Sequence, residues 1–521
     1  MMMSQWITSA LYATVVCSLY FVTLVFYRCF FHPLSRIPGP LLARTTYFYE
    51  WYFDLYLKGQ FTFHLKQLHQ AYGPIIRISP EEVHIDDPDF VGSIYNNSNG
   101  RVEKPARVAE QFGPYPALVG TQYHETHRIR RAALNPFFSK ASVAKLIPIM
   151  WGPINIVCDR LGEACKSKGS VNLKYLFSAI TLDIMTAYCF SQEPNAVLSP
   201  DFCRKEHDDL DAFVEVSLLN SHIPWVMRAI YSLPDNVTRW LAPAMASILD
   251  LRQGLSKPRP NQKQDLSRQV EAIRNGQNES YKTSSHRTIF HDLLDSGLPP
   301  KELERDRLRD EALGTVTAGS DTTAYVLRGA AYHISANPDV NQRLYEELKA
   351  AIPDPSPETF PSLAELENLP YLSAVVQESL RLCNPVTHRL CRKFPDKALG
   401  YQDYVIPPGW TVSMTSMLIH ENESIYPEPY EFRPERWLNG GREVRQLERY
   451  LVPFNRGVRV CLGLNLARAE LFIILAVLFR QFKFDISQVS RARDIDLTRD
   501  FIIGATAPDS PGILVGVEKA S

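Results

Sequence analysis

Phe454-Asn455-Arg456-Gly457-Val458-Arg459-Val460-Cys461-Leu462-Gly463 is the stretch on which the fold and function of this chain turn. It sets one cysteine between two glycines, with two arginines just before it. Guanidinium groups and backbone N–H donors favour the thiolate, the form of cysteine that binds metals. The residues that follow, Leu464 to Phe479, carry a helical pattern. Cys461 therefore falls just before a helix N-terminus, whose dipole also favours an anion. A lone cysteine is most often a small buried hydrophobe. Against that, F-x-x-G-x-R-x-C-x-G has five fixed positions and arises by chance in such a chain with a probability on the order of 1 in 10,000.

Working outward, Glu311 to Ser335 predicts one long helix that ends at Asn337-Pro338. Inside it stands Ala318-Gly319-Ser320-Asp321-Thr322-Thr323. A mid-helix glycine costs ~1 kcal/mol relative to alanine, so Gly319 marks either a close helix crossing or a functional opening. Glu378-Ser379-Leu380-Arg381 also reads as helix, and its charges face each other at i,i+3. Such a pair on an exposed face contributes only ~0.2–0.5 kcal/mol. Downstream lies Phe432-Arg433-Pro434-Glu435-Arg436-Trp437, and upstream His127-Arg128-Ile129-Arg130-Arg131.

In this order the segments resemble the cytochrome P-450 superfamily. The resemblance implies a mainly α fold with small β-sheets, the cytochrome P-450 fold, and haem b held by Cys461 as the axial thiolate on iron. It further implies Arg459 as a haem-propionate partner, Phe454 as a ring beside the sulfur, and Gly457 and Gly463 as points of close backbone approach. Gly319 would make room for dioxygen, and Asp321 and Thr322 would conduct protons. Glu378, Arg381 and Arg436 would form a structural lock beneath the haem. Where the family often has Trp-x-x-x-Arg, this chain has His127 and Arg131. Both can donate to a carboxylate, so a propionate role is retained, and Arg392 is a further propionate candidate. The run Leu134-Asn135-Pro136-Phe137-Phe138-Ser139 is similar to that of many fungal members.

The N-terminus predicts a membrane segment. No charge occurs from Gln5 to Tyr27, and ~20 apolar residues suffice to cross a bilayer as a helix. Positive charges follow it, at Arg28, Arg36 and Arg44, and none precedes it. This argues for a signal-anchor over a cleaved signal peptide, with the body on the cytosolic side. The expected organisation is a transmembrane anchor over 1–30 and one catalytic domain over 31–521, single-pass in the endoplasmic reticulum membrane. Pro33 to Pro40 would form a semi-rigid elbow. The stretch from Lys257 to Arg287 is expected to be a surface loop. Short strands are expected at Ile75–Ile78, Val83–Ile85, Tyr404–Ile406, Thr411–Met414 and Ile513–Val517.

Composition bounds the partners. Lys+Arg 56 against Asp+Glu 57 leaves no general pull toward nucleic acid. Nine scattered cysteines without a C-x-x-C pair argue against a disulfide framework or a zinc site. No flavin domain is read in the chain, so the resemblance implies a separate NADPH-dependent cytochrome reductase, with cytochrome b5 as a second electron donor. By position, Phe112, Tyr115, Leu118, Thr315, Val316, Val386, Thr387, His388, Phe501, Ile502 and Ile503 are candidate substrate contacts. Their apolar character points to a lipophilic small molecule. The chain resembles fungal secondary-metabolism members such as trichodiene-oxygenase-like enzymes, which implies a terpenoid-type substrate; polyketide- and alkaloid-type substrates stand beside it. A rearranging, dehydrating or desaturating haem-thiolate enzyme and a non-enzymatic haem sensor or scaffold are the alternative functions.

Overall fold

Long helices carry the site. The computed structural model describes residues 2–96, 100–112, 117–192, 195–225, 266–282, 286–438 and 440–520, with positions 229, 233, 234, 236, 237, 240 and 284. Six helices matter here: α1 (Met2–Phe30), α2 (His124–Leu134), α3 (Leu173–Phe190), α4 (Arg305–Ala336), α5 (Pro370–Leu382) and α6 (Leu464–Gln481). The expected mainly α architecture with small sheets is what the described residues form.

The chain divides into two compact units, residues 1–105 with 389–415, and residues 106–388 with 416–521. In the first, α1 has an unburied segment, Gln5–Phe30, with mean hydropathy 1.9, long and apolar enough to cross a membrane. The elbow after it is tied to a four-stranded sheet ordered Ile75–Ser79, Glu82–Ile85, Thr411–Ser413, Arg392–Lys393. Ile75 lies opposite Ile85 in the hairpin, and Glu82–Ile85 pairs parallel with Thr411–Ser413. The Arg77 N–H donates to the Pro38 carbonyl at 2.6 Å. The Arg77 side chain donates to the Arg28 and Pro80 carbonyls at 3.0 and 2.8 Å. A Cβ at Gly39 would collide with the Arg77 carbonyl oxygen, so only glycine permits this approach.

In the second unit α4 runs 32 residues, starting six residues before the expected Glu311. It stops at Asn337, which is extended (φ −119°, ψ 95°) because Pro338 excludes a helical residue before it. Helices α3, α5 and α6 pack around α4, burying Leu176, Ile180, Val316, Leu327, Val376 and Phe472. Although α3 is apolar enough to span a membrane, it is buried and belongs to this core. A three-stranded sheet (Ser170–Asn172, Leu514–Lys519, Phe482–Asp485) and the hairpin Arg499–Phe501/Ile503–Ala505 complete the unit. Within the expected loop 257–287, residues 257–265, 283 and 285 lie outside the described residues. Leu266–Arg274 and Glu279–Lys282 are helical, a correction to the loop reading. The Pro and Asn that suggested a loop flank these short helices, and the apolar face of Val270 and Ile273 buries one of them.

Candidate active site

The segment around Cys461 is a closed loop. The Cys461 N–H donates to the Phe454 carbonyl at 2.9 Å, which brings residues 454 and 461 side by side. A short 3₁₀ turn, Gly457–Arg459, fills the space between, and Gly457 takes φ +74°, a conformation glycine adopts without strain. Helix α6 begins three residues after the cysteine with Gly463 as its N-cap, so the sulfur stands at the positive end of an 18-residue helix. Cys461 is accessible to solvent. Even so, burial pushes its thiol up, while the Gly463 N–H and the Arg131 guanidinium pull it back. An accessible sulfur that is still desolvated stands in a recess. A Cβ on Gly463 would meet nothing within 4 Å, so that side of the recess is open.

The arginine that acts on the sulfur is Arg131, 330 residues away, and not the adjacent pair the sequence offered. Arg459 donates to the Thr121 and Gln122 carbonyls at 2.8 Å each. Arg456 donates to the Arg449 carbonyl. Arg131 reaches the Val460 carbonyl at 2.7 Å and Asn135 Oδ1 at 2.6 Å. Its five N–H donors leave further capacity for a carboxylate. His127 lies buried one turn before it on α2. Arg392 belongs to the first unit. It is buried, donates to its own Cys391 carbonyl at 2.8 Å, and lies 5.0 Å from the Tyr95 ring centre.

On α4 the acid and alcohol are neighbours with different surroundings. Burial and the Asp211 carboxylate push Asp321 up to about 6, against the pull of Arg328 and Lys174. A carboxyl with that value both holds and releases a proton near neutral pH. The Thr322 hydroxyl donates to the Ala318 carbonyl at 2.9 Å. Gly319 sits at a close helix crossing: a Cβ there would meet Met185 Sδ of α3 at 2.5 Å. In the middle of this largely buried helix, Ala318 is exposed, so this turn opens at residue 318. The Thr181 hydroxyl of α3 donates to the Ser320 carbonyl at 2.9 Å, fastening the same turn. Met185, Thr181, Asp211 and Lys174 left no mark as site residues in the sequence, because only the packing of α3 and the helix Arg204–His222 brings them here.

The Glu378 lock is complete and buried. Its carboxylate accepts from Arg381 Nε and Nη2 (2.9 and 2.8 Å), Arg436 Nε (3.1 Å), Trp437 Nε1 (2.9 Å) and the Arg433 N–H (3.0 Å). Two candidate substrate-contact segments also meet: Val386 bridges Ile503, and Asp500 accepts from Thr387 and His388 at 2.9 and 2.8 Å. Ile502 at the hairpin tip has φ +82°, a strained value for a β-branched residue, and its N–H is held by Asp500. Phe112 and Leu118 are described; Tyr115 lies outside the described residues.

An accessible, desolvated thiol at the N-terminus of α6, and an acid–alcohol pair on α4, against which α6 packs, fit what a haem-thiolate centre requires. The comparisons agree: this chain belongs to the cytochrome P450 family, whose model it matches over residues 42–511. It is 39% identical over 515 residues to the cytochrome P450 monooxygenase tpcC of Cochliobolus heterostrophus, covering 96% of this chain and 95% of that one. It is 35% identical to the tryptophan 6-hydroxylase fscE of Fusarium equiseti, covering 94% of each chain. The N-acetyltryptophan 6-hydroxylase ivoC of Emericella nidulans is 35% identical, with 96% of each covered. The chain is a cytochrome P450 monooxygenase whose relatives serve fungal secondary metabolism.

Proposed function

We propose that the enzyme inserts one oxygen atom from O2 into a lipophilic small molecule at a haem b bound through Cys461, with residues 31–521 acting as one catalytic domain. The observation that carries this is a desolvated, accessible Cys461 at the start of α6, with Asp321 and Thr322 on α4, the helix that α6 packs against. Haem, when bound to a thiolate, supplies dioxygen activation, since the thiolate pushes electron density toward O–O cleavage. The chain's own residues do the rest. Gly463, Arg131 and the α6 dipole favour the Cys461 thiolate against the burial that raises its thiol, and haem iron would supply the rest of the charge that holds it ionised. His127, Arg131 and Arg459 are the propionate donors of the second unit; in the first, Arg392 carries a buried charge of the kind a carboxylate satisfies. Phe454 shields the sulfur side from water. Asp321 takes a proton from the surface side, where Asp211 and Lys174 pair at 2.6 Å, and Thr322 presents it from its hydroxyl.

For the substrate, the resemblance to trichodiene-oxygenase-like enzymes supports a terpenoid. The tryptophan and N-acetyltryptophan 6-hydroxylases among the relatives support an aromatic substrate of the alkaloid type. An NADPH-dependent cytochrome reductase with cytochrome b5 is the electron source, and α1 anchors the enzyme in the endoplasmic reticulum membrane. The test is to compare metabolites of the source cell with and without the gene, under isotopically labelled dioxygen. A lost product heavier than the accumulated precursor by labelled oxygen supports the proposal. A pair differing only by water or hydrogen overturns it in favour of dehydration or desaturation.

A further inference from the structure

One buried acid takes no part in the chemistry above. Glu470 lies on α6, nine residues beyond Cys461, and is fully buried. Neither of its carboxyl oxygens makes a hydrogen bond of normal length and angle with the described residues. An ionised carboxylate in such a place would be uncompensated, which proteins avoid by keeping the proton. Its surroundings agree: burial pushes Glu470 up to about 8, and among the described residues the polar group that acts on it is the Thr323 hydroxyl of α4, which pulls it down less than burial raises it. No cation faces it. The nearest ionisable group in sequence on the facing helix, Asp321, responds to Asp211, Arg328 and Lys174 instead.

Thr323 is itself buried and follows Thr322 directly. The same turn is held on its other side by α3, through the Met185 contact at Gly319 and the Thr181 bond to the Ser320 carbonyl. In this turn Ser320 and Thr323 are buried, Ala318 is exposed, and Thr322 is partly exposed. Helices α3, α5 and α6 hold α4 as a whole; at this turn the α3 contacts lie at residues 319 and 320, and Glu470 acts from the α6 side at Thr323.

We propose that Glu470 is a positioning residue that works as a neutral carboxylic acid, wedged against Thr323 so that the Thr322 hydroxyl keeps its orientation, and that loss of its proton releases this turn of α4. The role given to Thr322 rests on the proposed monooxygenase chemistry; the neutral acid does not. Ionisation in so apolar a place draws the Thr323 hydroxyl and water toward the carboxylate, turning the helix at the residue that delivers protons. Reducing equivalents are then expected to leave as peroxide instead of product as the pH rises.

The experiment compares the full-length holoenzyme with Glu470→Gln, which keeps the neutral shape, and Glu470→Leu, which removes the polar head. A carboxyl whose folded proton affinity is raised loses stability as pH rises from its unfolded value of ~4.3 to its folded value, and no further. The melting temperature of Glu470→Gln should therefore exceed that of the parent by a margin that widens up to about pH 8 and then levels. Infrared spectra of the parent should show a protonated carboxyl band at neutral pH that the glutamine variant lacks. For coupling, the parent should release more peroxide per NADPH on the alkaline side, Glu470→Gln should not, and Glu470→Leu should be poorly coupled at every pH. A margin that does not change with pH, or no carboxyl band, overturns the neutral acid. A normal margin with coupling that ignores both substitutions overturns the positioning role while leaving the protonation intact.

Discussion

Replacing Glu378 by Gln tests whether the lock holds the segment that leads into the cysteine loop. Glu378 and Arg381 are both fully buried, and five hydrogen bonds converge on the two carboxylate oxygens. Glutamine keeps the shape and one acceptor, but it points an NH2 at groups that are themselves donors. Whichever way the amide turns, at least two of those bonds become donor against donor, and each orphaned buried donor costs roughly 1–3 kcal/mol. The Arg381 charge also loses its counter-ion in a fully buried site, and breaking a buried pair from one side costs ~3–5 kcal/mol in total. Arg381 also binds the carbonyls of His420 and Pro429 at 3.0 and 2.7 Å, so its displacement loosens residues 420–429, ahead of the cysteine loop. Urea unfolding followed by far-ultraviolet circular dichroism, with the haem absorbance recorded in parallel, measures both effects. A loss of several kcal/mol together with earlier haem release is expected. A loss below about 1 kcal/mol would refute the reasoning, because it would mean the lock is a solvated pair. Removing both partners, Glu378→Leu with Arg381→Met, should cost less than the sum of the two single changes. The pH dependence has a definite sign. The arginines hold Glu378 below its ordinary range despite its burial, so its contribution is intact above ~4.3 and is lost as pH falls through the folded value.

Three further outcomes follow from the same structure. Cys461→Ser should abolish the thiolate-type reduced carbon monoxide spectrum while the far-ultraviolet spectrum stays near that of the parent; a normal spectrum would sink the ligand assignment. Asp321→Asn should slow product formation by roughly 10²-fold or more and remove the inflection near pH 6 that the parent's rate profile is expected to show. Removing residues 2–24 should move the enzyme from the membrane pellet to the soluble fraction without loss of melting temperature, whereas a cut extended past Arg28 should destabilise it, because the buried Arg77 loses an acceptor.

What the sequence made legible was local. Cys461, Gly463 and the start of α6 sit within a dozen residues, and their spacing alone carries the chemistry. The strands at Ile75–Ser79, Glu82–Ile85 and Tyr404–Ile406 were readable for the same reason, being short apolar runs bounded by turns. Glu378 and Arg381 show the opposite case. The pair is written in the sequence, yet its burial is not, and a motif worth tenths of a kcal/mol on a surface is worth several in the interior. Gly319 shows a third. From sequence the glycine admits both a helix crossing and a functional opening, and only the placement of α3 reveals Met185 against it.

That placement yields a sign that separates the two. Gly319→Ala gains ~1 kcal/mol of helix propensity but forces Met185 aside, and overpacking a tight contact costs ~1–3 kcal/mol. The net effect in the parent should be a loss. With Met185→Ala already in place the clash is gone, and the same Gly319→Ala change should become stabilising by up to about 1 kcal/mol. A glycine kept only as an opening beside the reacting atoms would show no such reversal: alanine would raise stability in both backgrounds and affect only turnover. Thermal unfolding of the four proteins of this cycle reads the answer without any substrate. A gain in the parent would show that helix packing at residue 319 is not what excludes a side chain there.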